Sequence, residues 1–272
     1  LNPLSAIQTS VCFFVDSMAD KPLPSPDFVF MRKISHVGSI YLIRHGQASF
    51  GADDYDVLSP IGFRQSELLG QHLAELGVRF DRCLSGDLQR QKDTAKTALQ
   101  QLNAGGMNVP QLEIDSAFNE FDADAVIRAL LPDVLPAEPT ALEVMRNARE
   151  HRAEFQRLFA LLIGRWISGD YDNPGIEPWS GFVQRVTDGL QRLLQHADNR
   201  HNIGVFTSGG TITALLHALT GVSPDKAFEL NWQIINTSLS RLKFRGKEVV
   251  LASFNSQVHL DLLKAPELIT YR

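Results

Sequence analysis

The sequence predicts an α/β fold, a three-layer α/β/α sandwich with a mainly parallel sheet and a helical insertion. Short apolar runs such as residues 39–43 are nearly continuous, as is typical of strands covered on both faces. They alternate with longer segments whose apolar residues recur at helical spacing, which is typical of parallel strands joined by helices. Between about residues 121 and 180 the alternation stops and only helical spacing remains, which indicates an insertion.

The first half of the chain is predicted to run strand, helix, strand, helix. Residues 39–43 form the first strand, and Ser59 followed by Pro60 starts a helix, because serine caps helices and proline suits their first position. Leucines at helical spacing continue it, namely Leu68, Leu69, Leu73 and Leu76. Residues 80–84 predict a second strand, and a second helix runs toward Leu102.

The insertion is followed by a return of the α/β alternation. Residues 140–167 have helical spacing, and a connection rich in Gly, Asp and Pro over 169–178 ends this segment. We expect its aromatic residues Phe155, Phe159 and Trp166 to form its own core and not to contact a ligand. The elements predicted next are a helix over 182–194, a strand over 202–207, a tight turn at Ser208-Gly209-Gly210, a helix over 211–219, and a hairpin of 238–244 and 249–254.

Composition excludes several classes of protein. With 31 acidic against 26 basic residues and a formal net charge of -5, the chain lacks the basic excess that nucleic-acid binding needs. Cys12 and Cys83 form no CxxC pair, so we expect neither a disulfide framework nor a zinc site, and a reducing cytoplasm fits best. No apolar run approaches the roughly 20 residues of a membrane span, so we expect no membrane partner.

The amino-terminal residues are expected to differ from the rest. Residues 1–30 mix Ser, Pro and Asp with one short apolar patch, and no basic residue precedes Lys21, so a secretory signal is not indicated. We expect an N-terminal extension here, either outside the natural fold or packed on the surface of the domain. The folded domain is then expected over residues 31–272, starting near Met31.

Two polar clusters directly after predicted strands point to phosphate chemistry. In Arg44-His45-Gly46 the guanidinium offers a fork of donors suited to a phosphate, and a neutral imidazole is a competent nucleophile toward phosphorus. Taken alone, this tripeptide fits a surface arginine and a structural histidine better, because three residues often match by chance. After the next strand, Arg90 and Thr94 lie one helical turn apart on the same face of the helix. Two arginines around one histidine suit a dianionic phosphoryl group.

These clusters resemble the signatures of the histidine phosphatase superfamily, also called phosphoglycerate mutase-like. The shared patterns are Arg-His-Gly after the first strand and Ser-x-x-x-x-Arg-x-x-x-Thr-Ala, carried here by Ser85, Arg90, Thr94 and Ala95. The resemblance covers roughly residues 38–262. It also takes in Trp179-x-x-Phe182-x-x-Arg185, Asn236-x-Ser238 and Asn255-x-x-x-His259.

The resemblance implies a phosphohistidine mechanism that needs neither a metal nor a cofactor. His45 would attack phosphorus in line, while Arg44 and Arg90 would hold the phosphoryl oxygens. Glu120 would protonate the leaving oxygen and then activate water. Asp122 and Asp124 are close enough in sequence to be alternatives for this acid.

The chain departs from the family pattern at Ser208, where a second catalytic histidine is expected. Serine is a shorter and neutral donor, and losing a preorganised charged donor costs about 3 to 4 kcal/mol of transition-state stabilisation when nothing compensates. Gly209 opens a helix whose N–H groups and positive dipole end favour phosphate, so Ser208 and Gly209 are expected to bind it. His259 either reaches the same pocket or is a structural histidine.

The resemblance therefore implies a metal-independent phosphatase for a small phosphate monoester, with the insertion as a lid that crowds out larger substrates. Three alternatives remain. Loss of turnover through Ser208 would leave a phosphate-ligand binding or regulatory protein. A phosphoglycerate mutase-type transferase is disfavoured because Gln47 and Gly51 depart from the mutase signature. A serine hydrolase would use Ser208 with Asp225 and His259, which follow it in the required order, but would leave the arginine clusters unexplained.

Overall fold

Strands and helices alternate through the part of the chain that the computed structural model describes, residues 37–49, 56–148, 150–171 and 173–271. The strands are β1 (Gly38–Arg44), β2 (Arg82–Ser85), β3 (Leu112–Ile114), β4 (Asn202–Thr207), β5 (Leu239–Arg245) and β6 (Glu248–Ser256). The helices are α1 (Pro60–Glu75), α2 (Gln89–Ala104), α3 (Ala123–Val134), α4 (Ala141–Arg146), α5 (Arg152–Ser168), α6 (Trp179–Gln195), α7 (Gly209–Thr220), α8 (Pro224–Asn231) and α9 (Val258–Asp261). All belong to one compact unit, His36–Arg272.

The strands form a six-stranded sheet in the order β3-β2-β4-β1-β5-β6. β3, β2, β4 and β1 are parallel to one another, whereas β5 and β6 form an antiparallel hairpin on one side of β1. The chain turns between them at Gly246, whose positive φ of 57° suits glycine. The predicted mainly parallel α/β sheet is confirmed.

Helices cover both faces of this sheet. On one face α1 and α2 pack on β1 and β4 through a cluster that includes Leu73, Leu99, Ile43 and Phe206. On the other face a larger cluster joins the sheet to α6, α7 and the inserted helices, with Val205, Phe182, Ile212, Leu158 and Trp166 among its members. Truncating such fully buried side chains to alanine costs about 2 to 5 kcal/mol each, so both interfaces stabilise the sandwich.

Neighbouring strands β1 and β4 lead into helices on opposite faces of the sheet. The register sets Arg44, at the end of β1, opposite Thr207, at the end of β4. From there the chain enters α1 on one face and α7 on the other. A crevice opens where such connections diverge, and ligands of open α/β sheets bind at this point. His45 and Ser208 are the next residues on the two sides of that crevice.

Several predicted elements differ in detail from the structure. The helical segment predicted over 140–167 is two helices, because α4 ends at Arg146 and α5 starts at Arg152. Its aromatic residues do not form a separate core, since Trp166 stacks on Phe121 with ring centroids 4.5 Å apart and belongs to the cluster shared with the sheet. The tight turn predicted at 208–210 is the start of α7, with Ser208 as its N-cap. β3 and α8 were not predicted.

The remaining sequence predictions concern the amino-terminal residues, the cysteines and membrane-spanning helices. The extension over 1–30 and Cys12 lie outside the described residues. Cys83 is a buried core residue of β2, as expected. No helix in the described ranges is both long enough and apolar enough to cross a membrane.

Candidate functional site

The loop Arg44-His45-Gly46 leaves β1 and is held by its neighbours on both sides. The backbone N–H of His45 donates to the carbonyl of Thr207 at 2.8 Å, and that of Gly46 donates to Thr94 Oγ1 at 2.9 Å. Thr94 in turn donates to the Arg90 carbonyl at 2.7 Å, which ties the loop to α2. The loop is therefore fixed where the connections from β1 and β4 diverge.

The imidazole of His45 is buried and oriented by both of its nitrogens. Nδ1 lies 2.7 Å from the Gly46 carbonyl, which only accepts hydrogen bonds, so the ring proton of the neutral form is on Nδ1. Nε2 then carries the lone pair, and Arg90 Nε donates to it at 3.3 Å. Burial, followed by the charges of Arg90 and Arg44, lowers the pKa of His45 well below its usual value. The ring is thus neutral near pH 7.

Two guanidinium groups lie close enough to this imidazole for their charges to lower its pKa. Arg44 is buried and its Nη1 donates to the Ile234 carbonyl. Arg90 is also buried, and its Nη1 pairs with Asp56 Oδ1 at 2.6 Å. Asp56 Oδ2 accepts from the backbone N–H of Gln89 at 2.7 Å, so this carboxylate bridges the arginine and the first turn of α2. The sequence analysis did not anticipate Asp56.

Glu120 reaches the same crevice from the segment that precedes α3. Its Oε2 accepts from the Gly210 N–H at 3.0 Å and its Oε1 from the Phe121 N–H at 3.2 Å. Burial raises the pKa of the Glu120 carboxyl, against the opposing effects of the Gly210 hydrogen bond and the Arg90 and Arg44 charges. A Cβ at position 210 would lie 2.1 Å from Glu120 Oε1, so only glycine fits there.

Arg185 positions the backbone that carries Glu120. Its Nη1 donates to the carbonyls of Ser116, Ala117 and Asn119 at 3.1 to 3.2 Å, and a bidentate pair with Glu177 at 2.8 Å holds the guanidinium in place. The two alternative acids point elsewhere. Asp122 caps α3 by accepting from the Ala125 N–H at 2.8 Å, and Asp124 is exposed in the first turn of that helix.

Ser208 and Gly209 face His45 across the crevice at the start of α7. Ser208 is fully buried and its Oγ accepts from Gln91 Nε2 at 2.8 Å. The same Nε2 donates to the Phe118 carbonyl at 3.1 Å. A Cβ added to Gly209 would lie 3.7 Å from Arg44 Nε, so this glycine borders the arginine directly. Gln91, like Asp56, was not predicted.

Ser208, Asp225 and His259 do not form the triad that the serine-hydrolase alternative needs. His259 Nε2 lies 3.0 Å from Thr237 Oγ1, and its ring stacks on that of His72 with centroids 5.9 Å apart. Burial lowers the pKa of His259 to about 3. Asp225 lies on the exposed side of α8. His259 is therefore a structural histidine behind the site, where Thr237 also donates its backbone N–H to the Arg44 carbonyl at 3.1 Å.

The described residues include no group of three or more His, Cys, Asp or Glu side chains arranged to hold a metal ion. The ionisable groups that converge on the crevice are instead two buried arginines, the Asp56 carboxylate paired with Arg90 and the Glu120 carboxyl, around a neutral imidazole. Such a set of groups can bind a dianion and transfer a proton beside it.

Comparison with known proteins identifies the family to which the chain belongs. The family model described as histidine phosphatase superfamily (branch 1) matches residues 40–153 and 143–257. The chain therefore belongs to this superfamily, and both arginines, His45, Glu120 and Ser208 lie within the matched ranges.

Curated relatives share shorter stretches. The mitochondrial serine/threonine-protein phosphatase PGAM5 of Xenopus laevis is 41% identical over 59 residues, which is 21% of this chain and 22% of that protein. Its Drosophila melanogaster counterpart is 29% identical over 122 residues, or 44% of this chain and 40% of that protein. The chain thus matches less than half the length of these relatives.

Solved structures of the same fold match over most of their length. A phosphoglycerate mutase from Bacillus anthracis aligns with a TM-score of 0.57 and 19% identity, covering 85% of this chain and 98% of that one. A phosphoserine phosphatase from Entamoeba histolytica, in complex with 3-phosphoglyceric acid, aligns with a TM-score of 0.55 and 21% identity, covering 82% and 99%. At these identities the likeness shows the fold.

Proposed function

We propose that this protein is a metal-independent phosphatase that hydrolyses a small phosphate monoester through a phosphohistidine on His45. One observation carries the proposal. The neutral His45 ring, protonated on Nδ1, presents Nε2 in the crevice between β1 and β4 at 3.3 Å from Arg90 Nε. A nucleophile, two guanidinium groups and a carboxyl group of raised pKa then surround a space suited to one phosphoryl group.

The reaction has two balanced steps. His45 Nε2 forms a bond to phosphorus as the ester P–O bond breaks, and the leaving oxygen takes the proton of Glu120. Arg44 and Arg90 hold the phosphoryl oxygens and offset their charge. Water then attacks phosphorus, its proton returns to Glu120, and the P–N bond breaks to release inorganic phosphate and free His45. The arginines supply the positive charge that a cation supplies in other phosphatases.

Ser208 and the start of α7 take the place of the second histidine in this proposal. Gln91 occupies a lone pair of Ser208 Oγ, which leaves the hydroxyl hydrogen to donate to a phosphoryl oxygen. The start of α7 adds the positive end of a helix dipole, while the Gly210 N–H there is held by Glu120. A protein of the same fold that binds phosphate esters with little turnover is the alternative, because a neutral hydroxyl stabilises developing charge less than an imidazolium does.

A small substrate is favoured by the inserted helices and by the named activities of structural neighbours. Those neighbours include phosphatases for phosphoserine and for glucosyl-3-phosphoglycerate. The PGAM5 relatives are protein phosphatases, so a phosphopeptide is the competing substrate, and turnover of a phosphopeptide beside a sugar phosphate separates the two. The relatives are mitochondrial, whereas we propose the cytoplasm, where the unpaired and buried Cys83 stays reduced. No nucleic-acid or membrane partner is proposed.

The test is hydrolysis of 4-nitrophenyl phosphate in the presence of a chelator. We expect His45→Ala to reduce the rate to background, while His196→Ala, which removes an exposed histidine at the end of α6, retains it. Mass spectrometry after a rapid quench should find phosphate on His45. Activity that survives His45→Ala would overturn the assignment.

Ser208→His in the same assay measures how far the native site is attenuated. Because Ser208 is fully buried against Gln91, the substitution is paired with Gln91→Ala to make room for the ring. A large gain would show that serine limits turnover. An inactive native chain that this pair restores would favour the binding role.

A further inference from the structure

A cleft of about 270 Å³ opens beside the catalytic loop. Three segments distant in sequence line it: Gln47 after the loop, Arg152, Phe155 and Gln156 on α5, and Thr270 with Tyr271. Ligand pockets span about 300 to 1,000 Å³, so this cleft is slightly smaller than that range. It has room for a compact group and not for a folded protein surface.

One chain neighbour and one hydrogen-bonded path connect this cleft to His45. Gln47 follows His45 by two residues, and its Oε1 accepts from Ser59 Oγ at 2.8 Å. On the other side, Thr270 Oγ1 donates to Asn236 Oδ1 at 2.9 Å, and Asn236 Nδ2 donates to the His45 carbonyl at 3.0 Å. The cleft thus lies beside the backbone that carries His45.

Arg152 brings a positive charge to this cleft. It is exposed, and among the described residues it forms no hydrogen bond or ion pair. Arg157 on the same helix behaves differently, because its guanidinium forms a bidentate pair with Glu138 at 2.6 and 2.7 Å. An arginine without such a partner retains its planar fork of donors for an anion such as a carboxylate.

Two aromatic side chains, Phe155 and Tyr271, line the same cleft. Aromatic rings provide large apolar contact area at a low cost in conformational entropy, and they favour planar or apolar groups. Gln47 and Gln156 add amide groups that can hydrogen-bond a polar edge. The lining therefore combines one cation, flat apolar surface and neutral polar groups.

We propose that this cleft binds the leaving group of the substrate, and that the leaving group has an aromatic or other planar frame with a carboxylate that pairs with Arg152. Arg152 then selects among phosphate monoesters by the charge at the far end of the leaving group. This inference rests on the proposed phosphatase function, since it describes the non-reacting part of the same substrate.

The test compares 4-carboxyphenyl phosphate with phenyl phosphate, which share a frame and differ in the carboxylate. In Arg152→Ala and Arg152→Gln we expect kcat/KM for the carboxylated substrate to fall about 10- to 100-fold, mainly through KM, because a charge-assisted pair is lost. Phenyl phosphate should change less than about twofold. The matched control Arg157→Ala, which removes a paired arginine of the same helix, should alter neither substrate.

A second readout does not depend on turnover. Calorimetric titration of the native chain with 4-carboxybenzylphosphonate and benzylphosphonate should show tighter binding of the carboxylated compound, and Arg152→Ala should remove that difference. An unchanged preference in both measurements overturns the role of Arg152. If neither ester is hydrolysed but the binding difference is found, the proposed function fails and the cleft inference stands. If hydrolysis depends on His45 but shows no preference for the carboxylated substrate, the proposed function stands and the cleft inference fails.

Discussion

His45 and Glu120 are shifted in opposite directions by the same crevice. Burial disfavours charge on either side chain, so the pKa of His45 falls from 6.5 and that of Glu120 rises from 4.5. In water a glutamate is deprotonated before a histidinium is, and a neutral histidine beside a protonated glutamate is a minor state. Burial promotes this pair of protonation states, and nucleophilic attack with proton donation to the leaving oxygen requires it.

Activity should therefore depend on pH through Glu120. For an alkyl phosphate, whose leaving oxygen needs a proton, kcat/KM should fall as pH rises through the raised pKa of Glu120, because the acid is then lost. Glu120→Gln should reduce kcat/KM for that ester about 10²- to 10⁴-fold and abolish this alkaline decline. For 4-nitrophenyl phosphate, whose leaving group needs no proton, the loss should be much smaller.

Asp124→Asn is the matched control, since it neutralises an exposed carboxylate a few residues away. Equal losses for the two esters would assign Glu120 a role other than proton donation.

The sequence predicted the main groups of the site but not their partners. Arg44 ends β1, and His45 and Ser208 directly follow β1 and β4, so the ends of neighbouring strands bring them together. The Gln91–Ser208 and Asp56–Arg90 contacts join side chains 117 and 34 residues apart, and they depend on how α2 packs against the rest. No local pattern encodes such a contact. Gln91 is buried on the same helix as Arg90, but its burial is seen only in the folded chain and could not be inferred from the sequence.

At the scale of secondary-structure elements, Gly46 and Gly62 let the loop Arg44-His45-Gly46 pack directly on α1. A Cβ at Gly46 would lie 2.4 Å from the Gly62 carbonyl oxygen, and one at Gly62 would lie 2.1 Å from the Gln47 carbonyl oxygen. Both clashes are with backbone, which cannot rotate away. The missing side chain of Gly46 therefore makes room for α1 beside this loop.

Gly46→Ala should therefore push the loop away from α1. We expect unfolding free energy to fall by about 1 to 3 kcal/mol, as for other overpacked sites, together with a loss of phosphatase activity. Chemical denaturation measures the first quantity. Gly164→Ala in α5 is the control, because its Cβ would meet open space and should raise stability by about 0.5 to 1 kcal/mol. A Gly46→Ala protein as stable as the native one would contradict the packing.

The elements that sequence reasoning missed are short or exposed. β3 has three residues, two of them exposed, and lies at the edge of the sheet, so it lacks the apolar run that marks the central strands. α8 buries only Ala227 and Phe228. The strands and helices predicted correctly are those with a continuous apolar run or a long apolar stripe.

Across the whole molecule, the segment after β6 joins the two ends of the described chain. Gln65 in α1 donates to the Leu268 carbonyl at 2.7 Å and to Thr270 Oγ1 at 2.9 Å. His259 packs beside His72 of the same helix. This segment contains His259, a buried neutral histidine, so we expect the stability of the protein to depend on pH.

Acidification should destabilise the protein through His259. Its pKa is about 3 when folded, against 6.5 as the reference value, so the unfolded chain binds a proton that the folded chain resists. Stability from this group is complete above pH 6.5 and is lost as pH falls toward 3, by about 3 kcal/mol at pH 4. In His259→Gln the decrease in unfolding free energy between pH 7 and pH 4 should be smaller by that amount, as followed by urea denaturation. Equal slopes in both proteins would contradict this account.

The central position of β1 has a consequence for how the protein is made. Its two neighbours in the sheet are β4 and β5, and the Asn236 side chain that holds the His45 carbonyl is 191 residues further along the chain. The ribosome must therefore synthesise the chain as far as Asn236 before the His45 carbonyl can be held in place. Because early strands must wait for late ones, a nascent chain that has not yet reached Asn236 lacks the side chain that holds the His45 carbonyl.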